Sequence, residues 1–145
     1  MTSIRVVNRT RGTELGRSIR LSDTLIGRLR GFLFRGRPSA GEGLLLSPCS
    51  GVHMVGVTFP LDVIFIDDAG RVVALYPGLP PMGRTRIHGM ASHALELPSG
   101  TISRTRTEVG DRLLWSPVSA IDGVLEMPVQ SHRETREPWR SRKHA

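Results

Sequence analysis

Four side chains in the middle of this 145-residue chain could do chemistry, and Cys49 and His53 form the most suggestive pair. Thiolate and imidazole both bind metals and carry protons. In an extended strand their four-residue separation spans about 13 Å, whereas two ligands of one zinc ion lie within about 4.4 Å of each other. They share a metal or a proton only if Gly51 bends the chain. Otherwise Cys49 is a buried cysteine and His53 is satisfied by the backbone. The pattern predicts no metal and no cofactor.

Two acidic residues lie inside apolar segments and are candidate site carboxylates. Asp62 opens an apolar run, and Glu96 is flanked by Leu95 and Leu97. A buried carboxylate must accept hydrogen bonds or have a raised pKa, and such groups are enriched at functional sites. Asp62 equally fits a structural role in which it accepts backbone N–H bonds at a turn. Both alternatives stay open for Asp62, and Glu96 poses the same question.

Several common catalytic motifs are missing from the sequence. The only lysine is Lys143, so no phosphate loop with its lysine is present, and His-Glu-x-x-His, Gly-x-Ser-x-Gly and Cys-x-x-Cys are also absent. P-loop hydrolysis, dinucleotide binding and thioredoxin-type redox chemistry are therefore unsupported. His88 and His93 are predicted to be exposed loop and strand-edge residues, and Asp111 a turn residue.

Arginine dominates the charge of the chain, which is +7 overall. Nine of the twenty basic residues lie in residues 1–37 against two acids, whereas residues 38–130 hold more acids than arginines. A nucleic-acid interface usually adds aromatic residues for stacking or a recognisable module. Here Tyr76 is the only tyrosine, and no helix-turn-helix, finger or RNP pattern appears. A solvated basic face is the simpler interpretation. The arginines that a nucleic-acid contact would use are Arg5, Arg9, Arg11, Arg17, Arg28, Arg30 and Arg35.

The cellular compartment is indicated by the segments and the disulfide that the sequence lacks. No apolar run reaches the length of a membrane span, and the first residues contain no hydrophobic signal-peptide core. The single cysteine, Cys49, excludes an intrachain disulfide and suits a reducing compartment. We therefore expect a cytoplasmic protein.

The elements that must position these side chains are mostly strands. Short β-branched and apolar runs predict strands over 3–7, 14–21, 44–46, 52–57, 61–67, 71–76, 94–97 and 112–115. A compact hairpin turn at residues 68–70 joins two runs that are apolar on both faces and should lie centrally in the sheet. Residues 77–88 contain many prolines and glycines without a period and are predicted to form a long loop.

One helix is predicted in residues 22–33, because the apolar residues at 25, 26, 29, 32 and 33 fall on one helical face. Ser22 provides an N-cap, and Asp23 complements the helix dipole. The predicted fold class is mainly β (α+β): a compact twisted sheet or small barrel of about seven short strands with one packed amphipathic helix. Residues 1–116 are predicted to form a single domain, and residues 117–145 an extended, disordered basic tail.

Four segments carry a family resemblance. Residues 28–35 are similar to the pattern R-x-x-G-L-M-F-R, and residues 41–49 with His53 are similar to one branch of the same family. Residues 59–73 resemble P-L-D-V-x-F-[IL]-D…G-x-V-V, and residues 95–111 resemble L-E-L-P-A-G…G-D. In this order, over residues 5–115, they resemble the bacterial and archaeal family called domain of unknown function 192.

The resemblance implies a compact, mainly β fold with a helix packed against it. It implies no activity, because none is established for that family. Asp62 and Glu96 are matched positions of unknown role. The commoner branch of the family has Trp-Met where this chain has His53 and Met54, so the chain resembles the histidine-containing branch.

Three functions remain open from the sequence. The favoured one is a small accessory or binding domain with a cleft for a small ligand or a peptide of a protein partner near Cys49, His53, Asp62 and Glu96. The second is a small hydrolase or lyase in which His53 works with Asp62 or Glu96 as acid and base. The third is a basic adaptor that contacts nucleic acid or anionic surfaces.

Overall fold

The computed structural model describes residues 3–22 and 36–118. The predicted helix in residues 22–33 therefore lies almost wholly outside the described residues, as does the predicted tail from residue 119 onward. The described chain forms seven strands and one short helix. In chain order they are β1 (Ser3–Asn8), β2 (Thr13–Ser22), β3 (Glu42–Leu46), β4 (Leu61–Ile66), β5 (Val72–Leu79), β6 (His93–Pro98), α1 (Thr101–Thr105) and β7 (Leu113–Pro117).

All seven strands belong to one sheet, in the order β5-β4-β6-β3-β2-β1-β7. Every neighbouring pair is antiparallel except β2 and β3, which are parallel. An isolated bridge joins Arg71 to Arg112, and the Leu113 N–H donates to the Gly70 carbonyl at 2.8 Å. These bonds bring the two ends of the strand order together, so the sheet curls into a half-barrel. Within the described residues, no helix is long and apolar enough to cross a membrane.

Successive side chains of a strand point to opposite faces of the sheet. In the central strands the side chains on both faces are buried. All six residues of β4 are buried. The first core, on the concave side, comprises Ile4, Val6, Leu15, Ile19, Leu45, Ile64, Ile66, Val72, Leu95, Leu97, Ile102 and Leu113. The second core, on the other face, comprises Leu44, Leu46, Met54, Val57, Phe59, Leu61, Val63, Phe65, Leu79 and Ala94. Residues 47–60 cover this second face.

The mainly β fold class and the number of strands are confirmed, but one predicted strand is wrong. Residues 52–57 are irregular and contribute only a single bridge, between His53 and Arg84. The Val57 N–H donates to the Met54 carbonyl at 3.1 Å, and Gly56 has a φ of 85°. Extended pairing therefore stops at this turn, although the β-branched composition favours a strand.

The position and length of β5 also differ from the prediction. This strand lies at the end of the strand order rather than in its centre, and it continues to Leu79 into the predicted loop. Pro77 is tolerated there because an edge strand has one side on which no N–H is needed. Helix α1 was not predicted, because five residues are too short to show a helical period.

Candidate functional site

Asp62 is held by the backbone of two other elements. Its side chain is 1% exposed and lies on the first-core face of β4. Oδ1 accepts the Gly78 N–H at 2.8 Å, and Oδ2 accepts the Ile102 N–H at 2.7 Å. The first N–H groups of a helix have no partner inside it, and Gly100 offers no side-chain cap to α1. Asp62 supplies that acceptor, which matches the structural alternative.

Glu96 is buried without such partners. It lies on β6 between Leu44 and Val63 of the neighbouring strands and is 5% exposed. Within residues 3–22 and 36–118 its carboxyl group has no hydrogen bond or ion pair. Burial raises the pKa of Glu96 to about 7, because it penalises the charged form.

The two carboxyl groups point to opposite faces of the sheet. Glu96 pairs with Val63, whose side chain belongs to the second core, whereas Asp62 pairs with Leu97 of the first core. The sheet therefore separates them, and no single cleft contains both.

Cys49 and His53 lie in the segment that covers the second core. The half-buried Cys49 thiol donates to the Gly51 carbonyl at 3.2 Å, and the Cys49 N–H donates to the Ser92 carbonyl at 3.0 Å. His53 is exposed and pairs through its backbone with Arg84. In the described part of the chain, no three His, Cys, Asp or Glu side chains are grouped so that they could hold a metal ion. The four predicted site residues thus do not converge.

Asp111 is more than the turn residue that the sequence predicts. It is buried, and Oδ2 accepts from Asn8 Nδ2 at 2.9 Å, Arg11 Nε at 3.0 Å and the Glu108 N–H at 2.9 Å. Burial alone would raise the pKa of Asp111, but the hydrogen bonds from Arg11 and Asn8 lower it below its ordinary value. This satisfied network ties the β1–β2 turn to the start of β7 and has a structural role.

A groove that the sequence does not reveal lies between two loops, and we call it the loop groove. Its volume is about 610 Å³, and its lining residues are Gly51, Val52, His53, Arg84, Thr85, Arg86 and Ile87. Backbone bonds hold the two loops side by side: Met54 N–H to the Gly83 carbonyl at 2.8 Å, and Thr85 N–H to the Val52 carbonyl at 2.9 Å. Of the four predicted site residues, His53 is the one that lines it.

The loop groove is positively charged. Arg84 and Arg86 line it, and neither residues 47–60 nor residues 77–91 contain an aspartate or glutamate. Within the described ranges, the guanidinium groups of Arg84 and Arg86 form no ion pair. Both arginines are exposed, so their charges are available to a ligand.

The arginines near the N-terminus are placed differently. Arg5 and Arg17 contact Glu14 at 2.6 and 2.9 Å, and Arg11 contacts Asp111 at 3.0 Å. Arg17 and Arg5 lower the pKa of Glu14, chiefly through the hydrogen bond from Arg17. Three of the seven arginines predicted for nucleic acid therefore form ion pairs within the domain. Three further arginines of that predicted set lie outside the described residues: Arg28, Arg30 and Arg35.

An aromatic cluster anchors the basic loop. The Tyr76 hydroxyl accepts the Arg86 N–H at 3.2 Å and is hydrogen-bonded to His88 Nε2 at 2.8 Å. The His88 and Phe65 rings lie 4.8 Å apart. His88 is half-buried in this cluster rather than exposed as predicted. The loop that carries Arg84 and Arg86 is thus fastened to the second core.

Comparison with known protein families identifies the family of this chain. The model of the family domain of unknown function 192, described as "Uncharacterized ACR", matches residues 6–115, which include both loops of the groove. The chain belongs to this family. The resemblance found in the sequence is confirmed.

Individual proteins are similar to this chain in sequence or in fold. The UPF0127 protein of Thermococcus kodakarensis is 25% identical over 133 residues, which cover 87% of this chain and 81% of that protein. A protein of unknown function from Novosphingobium aromaticivorans is similar in structure with a TM-score of 0.64 and 22% identity, covering 77% of this chain and 82% of the other. A proposed transcription regulator from Sinorhizobium meliloti gives a TM-score of 0.65 and 22% identity, with coverages of 80% and 92%. The two structures show that the fold of this chain occurs in solved proteins.

Proposed function

We propose that this domain is a non-catalytic binding module that takes an anionic ligand in the loop groove. The observation that carries the proposal is that Arg84 and Arg86 line a groove without acidic residues and form no ion pair within the described chain. A guanidinium group binds carboxylate and phosphate groups through paired, charge-assisted hydrogen bonds. His53 adds a third polar group to the wall. The proposal includes the cytoplasmic location expected from the single cysteine.

The acid–base enzyme is less well supported by the geometry. General acid–base catalysis needs two groups within hydrogen-bond reach of one substrate. No hydrogen bond between described residues joins His53 to Asp62 or to Glu96, and each oxygen of Asp62 already accepts a backbone N–H. The binding module therefore remains the better explanation of the charged groove.

The affinity for a small anion should be modest, because the groove is open to solvent. Ion pairs at exposed sites contribute roughly 0.2–1 kcal/mol each. Two such pairs contribute at most about 2 kcal/mol. A Kd of 1 mM corresponds to about 4 kcal/mol of binding free energy, so we expect a small dicarboxylate to bind with a Kd weaker than about 1 mM. Salt should weaken this binding, since exposed charges are screened.

Calorimetric titration with succinate, and separately with inorganic phosphate, tests the proposal. The variant that combines Arg84→Gln with Arg86→Gln should lose binding of both anions. A control that combines Arg20→Gln with Arg106→Gln removes the same charge from exposed positions outside the groove and should bind as the wild type does. Equal losses in the two double variants would show that only net charge attracts the anion and would contradict the proposal.

A further inference from the structure

The ends of the loop groove carry exposed apolar side chains. Among the described residues, five large hydrophobic side chains are exposed, and four of them lie on the two loops that form the groove. Val55 and Met82 stand together at one end, because the Met82 N–H donates to the Met54 carbonyl at 3.3 Å. Ile87 lies at the other end and packs on Gly51. A basic centre between two apolar ends therefore faces solvent.

Resting on the proposed function, we infer that the ligand of this groove is an extended acidic peptide with an apolar residue at each end. Met82 and Ile87 are five residues apart, so the stretch between them spans at most about 18 Å. A peptide of five or six residues in extended conformation covers that length. A single small anion fills only the centre and leaves both apolar ends exposed.

The spacing of the arginines defines where the acids of the peptide should lie. The Thr85 hydroxyl accepts the Val52 N–H at 3.0 Å, so this side chain turns toward the neighbouring loop. In extended backbone the side chains on either side point the opposite way, which puts Arg84 and Arg86 on one face. Two acidic residues of a strand-like peptide at positions i and i+2 also share one face. Their two carboxylates therefore have the same spacing along the chain as the two guanidinium groups.

Two other occupants fit the surface less well. Residues 131–145 of this chain carry five basic residues and two acidic ones, so their charge repeats that of the groove. A lipid bilayer also combines apolar and anionic groups, but it presents a broad surface. Here the two arginines lie in a concave groove between the apolar ends. Charge and shape together favour the acidic peptide.

Fluorescence anisotropy with the labelled peptide Phe-Glu-Thr-Glu-Leu, capped at both ends, tests this inference. It should bind about tenfold more tightly than Ser-Glu-Thr-Glu-Ser, which keeps the acids and lacks the apolar ends. Met82→Ser combined with Ile87→Ser should remove that tenfold advantage, and Met82→Ser alone, which lies outside the lining of the groove, should leave succinate binding unchanged. Val109→Ser, at an exposed apolar position away from the groove, should alter neither.

The outcomes separate the two proposals. If succinate fails to bind, or binds independently of Arg84 and Arg86, the proposed function itself fails. If succinate binds as expected but the two peptides bind equally, the inferred ligand class is wrong while the anion site stands. Binding of phosphatidylglycerol vesicles that depends on Met82 and Ile87, without the tenfold preference between the peptides, would also overturn the peptide in favour of a membrane surface.

Discussion

At the scale of single residues, Asp62 and Glu96 show how one step of register separates two carboxyl groups. Val63 lies opposite Glu96 and Asp62 lies opposite Leu97, so the two acids face different cores. Asp62 meets two backbone N–H donors, whereas Glu96 meets aliphatic side chains. Both were equally good site candidates in the sequence, because their apolar neighbours look alike there. The partners that distinguish them come from other elements.

Replacing Asp62 should destabilise the fold. In Asp62→Asn one of the two backbone N–H groups faces an amide donor instead of an acceptor, which should lower the free energy of unfolding by about 1–3 kcal/mol. Urea denaturation at pH 7 measures the change, with Asp68→Asn at an exposed turn position as the matched control. A variant as stable as the wild type, or more stable, would contradict the structural role.

Glu96 should make stability fall as pH rises. Its pKa is about 7 in the folded protein against an ordinary value of 4.5, so the unfolded state releases its proton first. Between pH 4.5 and 7 the wild type should therefore lose up to about 3 kcal/mol of stability, a loss that is complete above pH 7. Glu96→Gln does not titrate and should lack this loss. If the unfolding free energies of the two proteins change in parallel from pH 4 to pH 8, the raised pKa of Glu96 is refuted.

At the scale of elements, the sequence predicts the strands, which depend on neighbouring residues, and misses the features that depend on contacts between residues far apart in the chain. The strands from Ser3 to Asn8 and from Leu61 to Ile66 follow from their own apolar and β-branched residues. Helix α1 begins where Asp62 accepts an N–H, and that acceptor is 40 residues away. The loop groove joins segments more than 30 residues apart, and no local pattern predicts their pairing. Its clearest sequence signal is the lack of acids in both loops.

Closure of the half-barrel depends on a glycine. Gly70 has a φ of 88°, and a Cβ added there would lie 2.7 Å from the Leu113 carbonyl oxygen. Gly70→Ala should thus cost more than the roughly 1–2 kcal/mol of a left-handed residue alone. Gly12→Ala is the matched control, since Gly12 has a φ of 69° and open space around it. Equal losses of thermal stability in the two variants would show that the contact between the added Cβ and the Leu113 carbonyl oxygen can relax.

At the scale of the whole molecule, some arginines of the described domain form ion pairs and others do not. The carboxylates of Glu14 and Asp111 form ion pairs with three arginines near the N-terminus, Arg5, Arg11 and Arg17. The two loops over the second core contain arginine and histidine without acids. Arg20 and Arg106 are also exposed and form no ion pair within the described residues, but they do not line the loop groove, where Arg84 and Arg86 lie together.

The residues after the last strand should be dispensable. The family match ends at residue 115 and β7 ends at Pro117. Truncation after Gln130 is expected to leave the melting temperature within error, because all seven strands and both described cores lie within residues 3–118. It should also leave succinate binding unchanged. A loss of several degrees would show that the removed segment packs on the domain.

The position of anion binding tests the central claim most directly. The measurement is a two-dimensional amide spectrum of the labelled protein during titration with succinate at low salt. The account predicts that the largest shift changes fall on residues 51–53 and 84–87, and that they disappear in the Arg84→Gln, Arg86→Gln double variant. Shift changes centred on Arg5, Arg11 and Arg17, or unchanged shifts in the double variant, would contradict it.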